Sequence, residues 1–237
     1  MIAAAVDDVT EDSNERDAHE RSAALRLDAP LALIAILLLW PVLLLLAAAV
    51  RLDSRGPVVY REKRPGRAGK PFWIYKFRTL HPQSDGGSSV APVGDYRITR
   101  LGTWLRPLHL DELPQLFNIV RGDMRFVGPR PTRRELWDGV DDNLRKRALA
   151  FTPGLTSPAS IRFDCEDEVL AGIEDPVRAY RDIVFPAKVA MDVRHFENRR
   201  RWSDLKVILA TARTVVSRQG NRKCRRRLWR LLSRTSC

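Results

Sequence analysis

The chain has 237 residues, of which 44% are hydrophobic and 30% are charged. This length suits one sizeable domain with attachments, and the composition excludes a disordered or a fibrous chain. The net charge of +12 favours anionic partners, namely nucleic acid, acidic lipid or phosphorylated substrates. A mean hydropathy of −0.28 excludes a protein with many membrane spans.

The first 28 residues form an acidic leader. They hold eight acids against three arginines, a balance of −5 that leaves +17 for the remainder of the chain. Because the leader has almost no hydrophobic periodicity, we expect a flexible or weakly helical tail. It is too acidic to be the first part of a secretory signal peptide.

Residues 31–50, LALIAILLLWPVLLLLAAAV, form an apolar segment without a single charge. Twenty helical residues rise about 30 Å, the thickness of a hydrocarbon core, so we expect membrane insertion. Several basic residues follow from Arg51 to Arg67, which predicts that the C-terminal side of the segment is cytoplasmic. Pro41 interrupts the backbone hydrogen bonding in the middle. The residues alone therefore allow a kinked spanning helix or a re-entrant helix that breaks at Trp40–Pro41.

The rest of the chain predicts helices and a small hairpin. Two β-prone runs around a glycine-rich connector predict an antiparallel hairpin, and proline- and glycine-rich stretches predict loops. In chain order, the expected elements are a hairpin (58–61 and 72–78), a loop (82–94), helical pieces on both sides of Pro107 (101–120), a loop (128–131) and helices with a break at Pro186 (175–216).

The three cysteines, Cys165, Cys224 and Cys237, lie far apart and are odd in number. They show no zinc-ligand spacing and no disulfide framework, which is typical of a chain in the reducing cytosol.

Asp111 and Glu112 are the residues most suited to carry chemistry. An Asp-Glu pair between leucines is compatible with an exposed helical turn. Adjacent carboxylates among many arginines also suit a nucleophile beside a magnesium ligand, since arginines donate to diphosphates and Mg²⁺ binds one or two carboxylates together with phosphate oxygens.

Three runs are informative when they are taken together, namely RLDSRGPVVYREKRPGRAGKPFWIYKFRTL, RITRLGTWLRPLHLDELPQLFNIVRGDMRFVGPRP and TPGLTSPAS. In this order they resemble the bacterial sugar transferase family, the small monotopic polyprenyl-phosphate phosphoglycosyl transferases that start surface glycan assembly. The resemblance covers residues 28–215. It implies transfer of a sugar 1-phosphate from a UDP-sugar to polyprenyl phosphate with release of UMP, through a covalent phosphosugar–aspartate.

The resemblance also implies roles for single residues. Asp111 matches the nucleophile and Glu112 a partner that holds Mg²⁺. Basic positions that match substrate-binding residues are Arg106, Arg130, Lys76 and Arg78.

The architecture that follows is mainly α with a small β-hairpin. The resemblance favours a re-entrant, kinked membrane helix and a catalytic domain on the cytoplasmic face of the bacterial inner membrane. The expected units are an acidic leader (1–28), the membrane helix (29–51), the phosphoglycosyl transferase domain (52–216) and a basic amphipathic tail (217–237).

The chain departs from the family pattern at three places. The usual Ser-Pro at the helix break is Trp40–Pro41, and the usual Ser before Leu-Asp-Glu is His109. We interpret His109 as a neutral polar replacement, with a pH-sensitive role as the alternative. Residues 153–158 replace a PGITG-type stretch, so the identity of the sugar does not carry over.

The tail has leucines and a tryptophan among many arginines and has no acid after Asp204. We expect a basic amphipathic helix on anionic lipid, with a solvated disordered tail as the alternative. The predicted partners are thus UDP-sugar, polyprenyl phosphate and anionic lipid but no nucleic acid, and a homo-oligomer is compatible with the sequence. The alternative function is a catalytically inactive, membrane-anchored basic scaffold for glycan assembly.

Overall fold

The computed structural model describes the backbone of residues 2–81, 94–200, 202–217 and 221–233, and the side chains of residues 27–81, 94–200, 202–215 and 224–233. Most of the predicted loop at 82–94 lies outside the described residues. The α-helices are α1 Ile2–Asp53, α2 Gly102–Leu105, α3 Gln115–Val120, α4 Asp142–Leu149, α5 Pro158–Arg162, α6 Glu166–Leu170, α7 Pro176–Ala179, α8 Phe185–Glu197, α9 Ser203–Ser217 and α10 Asn221–Ser233. The strands are β1 Val59–Pro65, β2 Pro71–Phe77, β3 Arg125–Val127 and β4 Gly154–Thr156.

The predicted hairpin is confirmed. β1 and β2 pair antiparallel from Val59 opposite Phe77 to Pro65 opposite Pro71. The glycine-rich connector forms a short 3₁₀ turn at Arg67–Gly69, and Gly69 there has a φ of 72°, which glycine adopts without a steric penalty.

α1 carries the apolar segment, and its stretch Leu27–Asp53 is long and apolar enough to cross a membrane. The helix runs without interruption through Pro30 and Pro41, so the expected break at Trp40–Pro41 is not seen as a gap in the helix. One stripe, at a spacing of three or four residues, packs on the rest of the protein, and the opposite face is exposed. The packed stripe comprises Ala32, Ile36, Leu39, Leu43, Leu46 and Val50. Exposed side chains include Leu37, Leu38, Leu44 and Leu45.

Four hydrophobic clusters form the core of the described residues, and two of them position the main elements. The first lies between α1, the hairpin and α3, around Ile74, Leu116 and Ile119. The second lies among the C-terminal helices, around Val184, Phe185 and other fully buried side chains. Residues 101–120 do form helical pieces on both sides of Pro107, but two 3₁₀ turns, Arg106–Leu108 and Leu110–Glu112, separate α2 from α3.

β3 and β4 pair in parallel, an element that the sequence did not predict. Their contact requires two glycines, because a Cβ at Gly154 would lie 2.0 Å from the backbone nitrogen of Gly128. This contact fixes the start of the loop 128–131, which is a loop as predicted.

The predicted break at Pro186 takes a different form. A π-turn at Tyr180–Val184 joins α7 to α8, and Pro186 occupies the first turn of α8. Proline lacks an N–H and cannot donate to the preceding turn, so the helix widens ahead of it and continues instead of ending.

The expectation of no disulfide was wrong. Cys165 and Cys224 are bonded across a sequence separation of 59 residues, and both are buried. The bond ties α10 to the segment that precedes α6. α10 is the predicted basic amphipathic helix, but Leu228 and Leu232 pack into the C-terminal core. These leucines therefore face protein, whereas Trp229 is exposed.

Candidate active site

The carboxylate pair lies on a tight reversal of the chain. His109 has a φ of 52° and a ψ of 21°, a left-handed conformation that is unusual for a residue with a side chain. It separates the two 3₁₀ turns and directs the second one inward. As a result, Asp111 is 8% exposed and Glu112 is 5% exposed.

Glu112 is held by two cations. Lys76 Nζ donates to Oε1 at 2.7 Å, and Arg130 donates to both carboxylate oxygens, one of them from Nη1 at 3.1 Å. Burial by itself would raise the pKa of Glu112, but Arg130 and Lys76 more than offset it and hold this pKa well below its ordinary value. Glu112 is therefore a fixed negative charge at neutral pH.

Asp111 has the opposite environment. Within the described part of the chain, no hydrogen bond or ion pair engages its carboxylate. Burial and then the charge of Glu112 raise the pKa of Asp111, against the attraction of Lys76, Arg106 and His109. Environments that drive the pKa values of two neighbouring carboxyls apart are typical of paired groups with different roles.

An acidic stretch faces the basic residues beside Asp111. Arg106 Nη2 lies 3.2 Å from Asp167 Oδ2, and His109 Nε2 lies 3.1 Å from Asp164 Oδ1. The hydrogen bond with Asp164 raises the pKa of His109, with burial acting against it and Glu112 acting with it. His109 thus has a charged partner, which its interpretation as a neutral polar replacement did not include.

The structure brings Lys76, Arg106 and Arg130 to the carboxylate pair, but it does not bring Arg78 there. Arg78 is 5% exposed and donates from Nη2 to the carbonyl of Ser54 at 2.6 Å and from Nη1 to the carbonyl of Pro57. Its guanidinium binds the carbonyls that follow the C-terminal end of α1. Its place is therefore structural, at the junction between α1 and the hairpin.

Asn118 is a residue that the sequence analysis missed. Its side chain is fully buried, accepts from Tyr75 N at 3.1 Å and donates to the carbonyl of Trp73 at 2.6 Å. It thereby binds the edge of β2, which carries Lys76, to α3, which follows the carboxylate pair. The sequence feature that could have pointed to it is an asparagine between the apolar residues Phe117 and Ile119 of α3.

No group of three or more His, Cys, Asp or Glu side chains arranged for a metal ion occurs among the described residues. The donors that do occur are Asp111, which has no protein partner there, and the Oε2 atom of Glu112, which accepts one bond from Arg130. A carboxylate oxygen has room for a second partner. These oxygens fit an ion that binds one or two carboxylates and takes its other ligands from phosphates and water, as Mg²⁺ does.

An apolar groove of about 660 Å³ runs between α1 and the elements around the pair. Its walls include Trp40 and Leu44 of α1, Phe77 of β2, and Pro114 and Phe117 at the start of α3. Phe77 follows Lys76 directly and Pro114 comes two residues after Glu112. The groove therefore runs along the apolar stretch of α1, and two of its lining residues are close in sequence to Lys76 and Glu112. Arg121 lines the same groove as its charged residue.

A family model described as bacterial sugar transferase matches residues 20–218. A UDP-glucose:undecaprenyl-phosphate glucose-1-phosphate transferase of Caulobacter vibrioides is 37% identical over 194 residues, which are 81% of this chain and 68% of the relative. A UDP-N-acetylgalactosamine-undecaprenyl-phosphate N-acetylgalactosaminephosphotransferase of Aeromonas hydrophila is 34% identical over 81% of this chain and 43% of its own length. An uncharacterized sugar transferase of Bacillus subtilis is 34% identical over 76% of this chain and 80% of its own length.

This chain thus spans about two thirds of the Caulobacter relative and less than half of the Aeromonas one. The family match includes the apolar stretch of α1, the carboxylate pair and the loop with Arg130. The chain belongs to the bacterial sugar transferase family.

Proposed function

We propose that this protein is a phosphoglycosyl transferase that moves a sugar 1-phosphate from a UDP-sugar to a polyprenyl phosphate and releases UMP, as the first membrane step of exopolysaccharide or other surface glycan synthesis. The observation that carries the proposal is the division within the carboxylate pair. Glu112 is neutralised by Lys76 and Arg130, while Asp111 is buried without a protein partner in the described residues. The names of the relatives supply the substrate classes.

In the proposed reaction, Asp111 attacks the phosphorus that carries the sugar. A bond forms from the carboxylate oxygen to this phosphorus, and the bond to the bridging oxygen breaks, so UMP leaves with the electron pair. A phosphate oxygen of the polyprenyl phosphate then attacks the same phosphorus. This second displacement yields a polyprenyl diphosphate sugar and restores the Asp111 carboxylate. Two displacements at one centre replace a single difficult transfer.

The Asp111 carboxylate and the substrate diphosphate are both negatively charged and repel each other, and nearby basic side chains reduce this repulsion. Arg106, His109 and Lys76 each act on the charge of Asp111, and Arg130 lies beside Glu112. Groups fixed before the substrate arrives stabilise developing charge without reorganising during the reaction. Glu112 would hold Mg²⁺ together with the diphosphate. When bound, the ion would supply charge neutralisation of the phosphate oxygens.

The groove beside α1 suits the lipid acceptor. It is lined mainly by apolar side chains, one wall belongs to the membrane helix, and Arg121 lies in it as a cation. We assign the isoprenoid chain to this groove, so that its phosphate reaches Asp111 from the membrane side. Lys63 lies 5.2 Å from the ring centre of the exposed Trp73, a pairing typical of a surface at lipid headgroups.

We also propose that both ends of the apolar stretch Leu27–Asp53 lie on the cytoplasmic face of the membrane. The two ends of this stretch contact the same globular part: Asp28 accepts from Arg125 Nε at 2.9 Å, and Asp53 accepts from Leu101 N at 3.1 Å. About 38 Å of helix separates these aspartates, which exceeds a hydrocarbon core of about 30 Å. A spanning helix would place Asp28 across the bilayer from Arg125. The packed stripe between the two ends supports an anchor that lies along the domain.

Labelling of a cysteine placed at position 13 tests this topology. In intact cells, S13C should resist a membrane-impermeant maleimide and react only after the membrane is opened. Cells that carry the unsubstituted chain give the background from the native cysteines. Labelling of S13C in intact cells would restore the spanning helix.

The activity is tested by UMP release over a panel of UDP-sugars, with the purified protein, Mg²⁺ and polyprenyl phosphate. At least one sugar should give release that depends on the acceptor, and the Asp111→Asn variant should lose it by at least a thousandfold, since an amide is a poor nucleophile. Glu135→Gln, at an exposed acid remote from the pair in sequence, serves as the control. Release with no sugar would favour the inactive scaffold, and full activity of Asp111→Asn would refute the nucleophile.

A further inference from the structure

The four residues Asp164–Cys165–Glu166–Asp167, called the acidic segment below, are all engaged by other parts of the chain. Asp164 Oδ1 lies 3.1 Å from His109 Nε2, and Asp167 Oδ2 lies 3.2 Å from Arg106 Nη2. Cys165 is bonded to Cys224 of α10. Glu166 accepts from Lys188 Nζ at 2.7 and 2.6 Å.

These contacts divide into an inner and an outer pair. Cys165 is 4% exposed and Lys188 is 5% exposed, so the inner contacts fasten the segment to the C-terminal core. The two aspartates lie on either side of this anchor and reach to the turn that precedes Asp111. The segment thus connects the C-terminal core to Arg106 and His109, the two side chains that come before the carboxylate pair in the chain.

Arg106 and His109 need such support. An arginine side chain loses conformational entropy when it is fixed, and His109 holds a left-handed backbone conformation in the middle of the turn. A charged partner that is itself anchored reduces the freedom that must be lost when a substrate binds.

We propose that Asp164 and Asp167 are positioning residues of the phosphoryl transfer: they hold the His109 imidazole and the Arg106 guanidinium in the places from which these groups act on Asp111 and on the incoming diphosphate. The inference rests on the proposed function. It assigns no chemical step to the acidic segment, and the transfer itself stays with Asp111. The buried Cys165 and the Glu166–Lys188 pair fasten the acidic segment to the C-terminal core.

A competing role for the same contacts makes a different kinetic prediction. If Asp167 merely occupied Arg106 until a phosphate displaced it, its removal would lower the KM for the UDP-sugar and leave kcat unchanged. A positioning residue acts in the opposite way, because misplaced cations slow the reaction of substrate that is already bound. The split between kcat and KM therefore separates the two roles.

The experiment measures UMP release by the full-length protein with the best UDP-sugar of the panel. Asp164→Asn and Asp167→Asn should each lower kcat by about tenfold to a hundredfold, with KM changed by less than about threefold. Asp167→Glu, which keeps the charge, should recover most of the loss. Glu174→Gln, an exposed acid after α6 for which the structure shows no contact, should match the wild type.

The thermal midpoint of each variant in detergent is measured alongside. A loss of kcat supports the positioning role when this midpoint stays within a few degrees of that of the wild type. Wild-type kcat in Asp164→Asn and Asp167→Asn, or a lower KM with unchanged kcat, would overturn the positioning role while leaving the proposed function intact. A wild type that releases no UMP would instead overturn the proposed function and with it this inference.

Discussion

Asp111 and Glu112 are neighbours in the chain, yet the fold gives them opposite electrostatic environments. Glu112 points to Lys76 on the hairpin and to Arg130 on the loop after β3, so three separate parts of the chain meet at one carboxylate. Asp111 remains buried beside this neutralised cluster. Glu112 thus holds Lys76 and Arg130 in the site, whereas the carboxylate of Asp111 stays available for reaction.

The Glu112→Gln variant should lose both activity and stability. Removal of the charge leaves Arg130 and Lys76 without their anionic partner, which should cost about 2–3 kcal/mol, because both cations are partly exposed. The thermal midpoint in detergent and UMP release measure the two effects. Asp142→Asn, which removes an exposed acid, should leave both unchanged; a fully active Glu112→Gln protein would contradict this role of Glu112.

Asp192 predicts a pH dependence of stability. It accepts from Ala159 N at 2.9 Å, and burial raises its pKa to about 6 against the bonds from Ala159 and Ser157. In the unfolded chain this carboxyl ionises near its ordinary value of 3.8, so between pH 4 and 6 the folded state binds more protons. The free energy of unfolding should therefore decrease as the pH rises through this range, by about 3 kcal/mol from this group.

Asp192→Asn removes the titrating group and keeps an oxygen acceptor for Ala159 N. The wild type should lose stability relative to Asp192→Asn as the pH rises from 4.5 to 7, measured as the difference between their thermal midpoints. A difference that stays constant with pH would show that this carboxyl does not titrate in the range.

At the scale of elements, the contact between β3 and β4 determines where Arg130 lies. Gly154→Ala should break it, since the added Cβ would lie 2.0 Å from Gly128 N, a backbone atom that cannot move aside alone. We expect displacement of the 128–131 loop and loss of most UMP release. Gly172→Ala is the matched control, because its Cβ would meet only the Val169 carbonyl at 3.7 Å. Normal activity of Gly154→Ala would mean that the loop does not depend on this contact.

Local patterns predicted much of this element structure. The hairpin follows from two β-prone runs around a glycine-rich connector, and the carboxylate pair with Arg106 and Arg130 follows from family motifs. The position of Arg78 did not follow from them. Two residues after Lys76, it would share a face with Lys76 if the strand continued, but β2 ends at Phe77. Past this end, alternation no longer determines direction, and Arg78 turns to the carbonyls at the end of α1.

Other features depend on the folded chain as a whole. Cys165 and Cys224 are 59 residues apart, so no short sequence motif predicts that they form a disulfide. The packed stripe on α1 could not be predicted from the sequence either, because no polar residue interrupts the apolar segment. Composition therefore could not separate the face that packs on protein from the exposed face, and only the burial of the folded helix does so.

For the whole molecule, the disulfide predicts a measurable share of stability. Closure of a loop of this length should stabilise the fold by about 4 kcal/mol in the chain-entropy model. Cys224→Ser should lower the thermal midpoint of the oxidised protein, while Cys237→Ser, the removal of the third cysteine, should not. If dithiothreitol lowers the midpoint of the wild type to that of Cys224→Ser, the bond is the cause; equal midpoints of all three oxidised proteins would refute it.

Since Ala32, Leu43 and Val50 of α1 pack inward, the anchor also completes the hydrophobic core of the catalytic domain. A shortened chain that began after residue 53 would bare Ile74, Phe77, Leu116 and Ile119 to water and would aggregate instead of becoming soluble. An unrelated membrane helix joined in its place would not cover the same surface. We therefore expect the domain to fold only when it is joined to its own α1. Recombination that exchanges this helix between proteins should be tolerated only where the inward-facing stripe is retained.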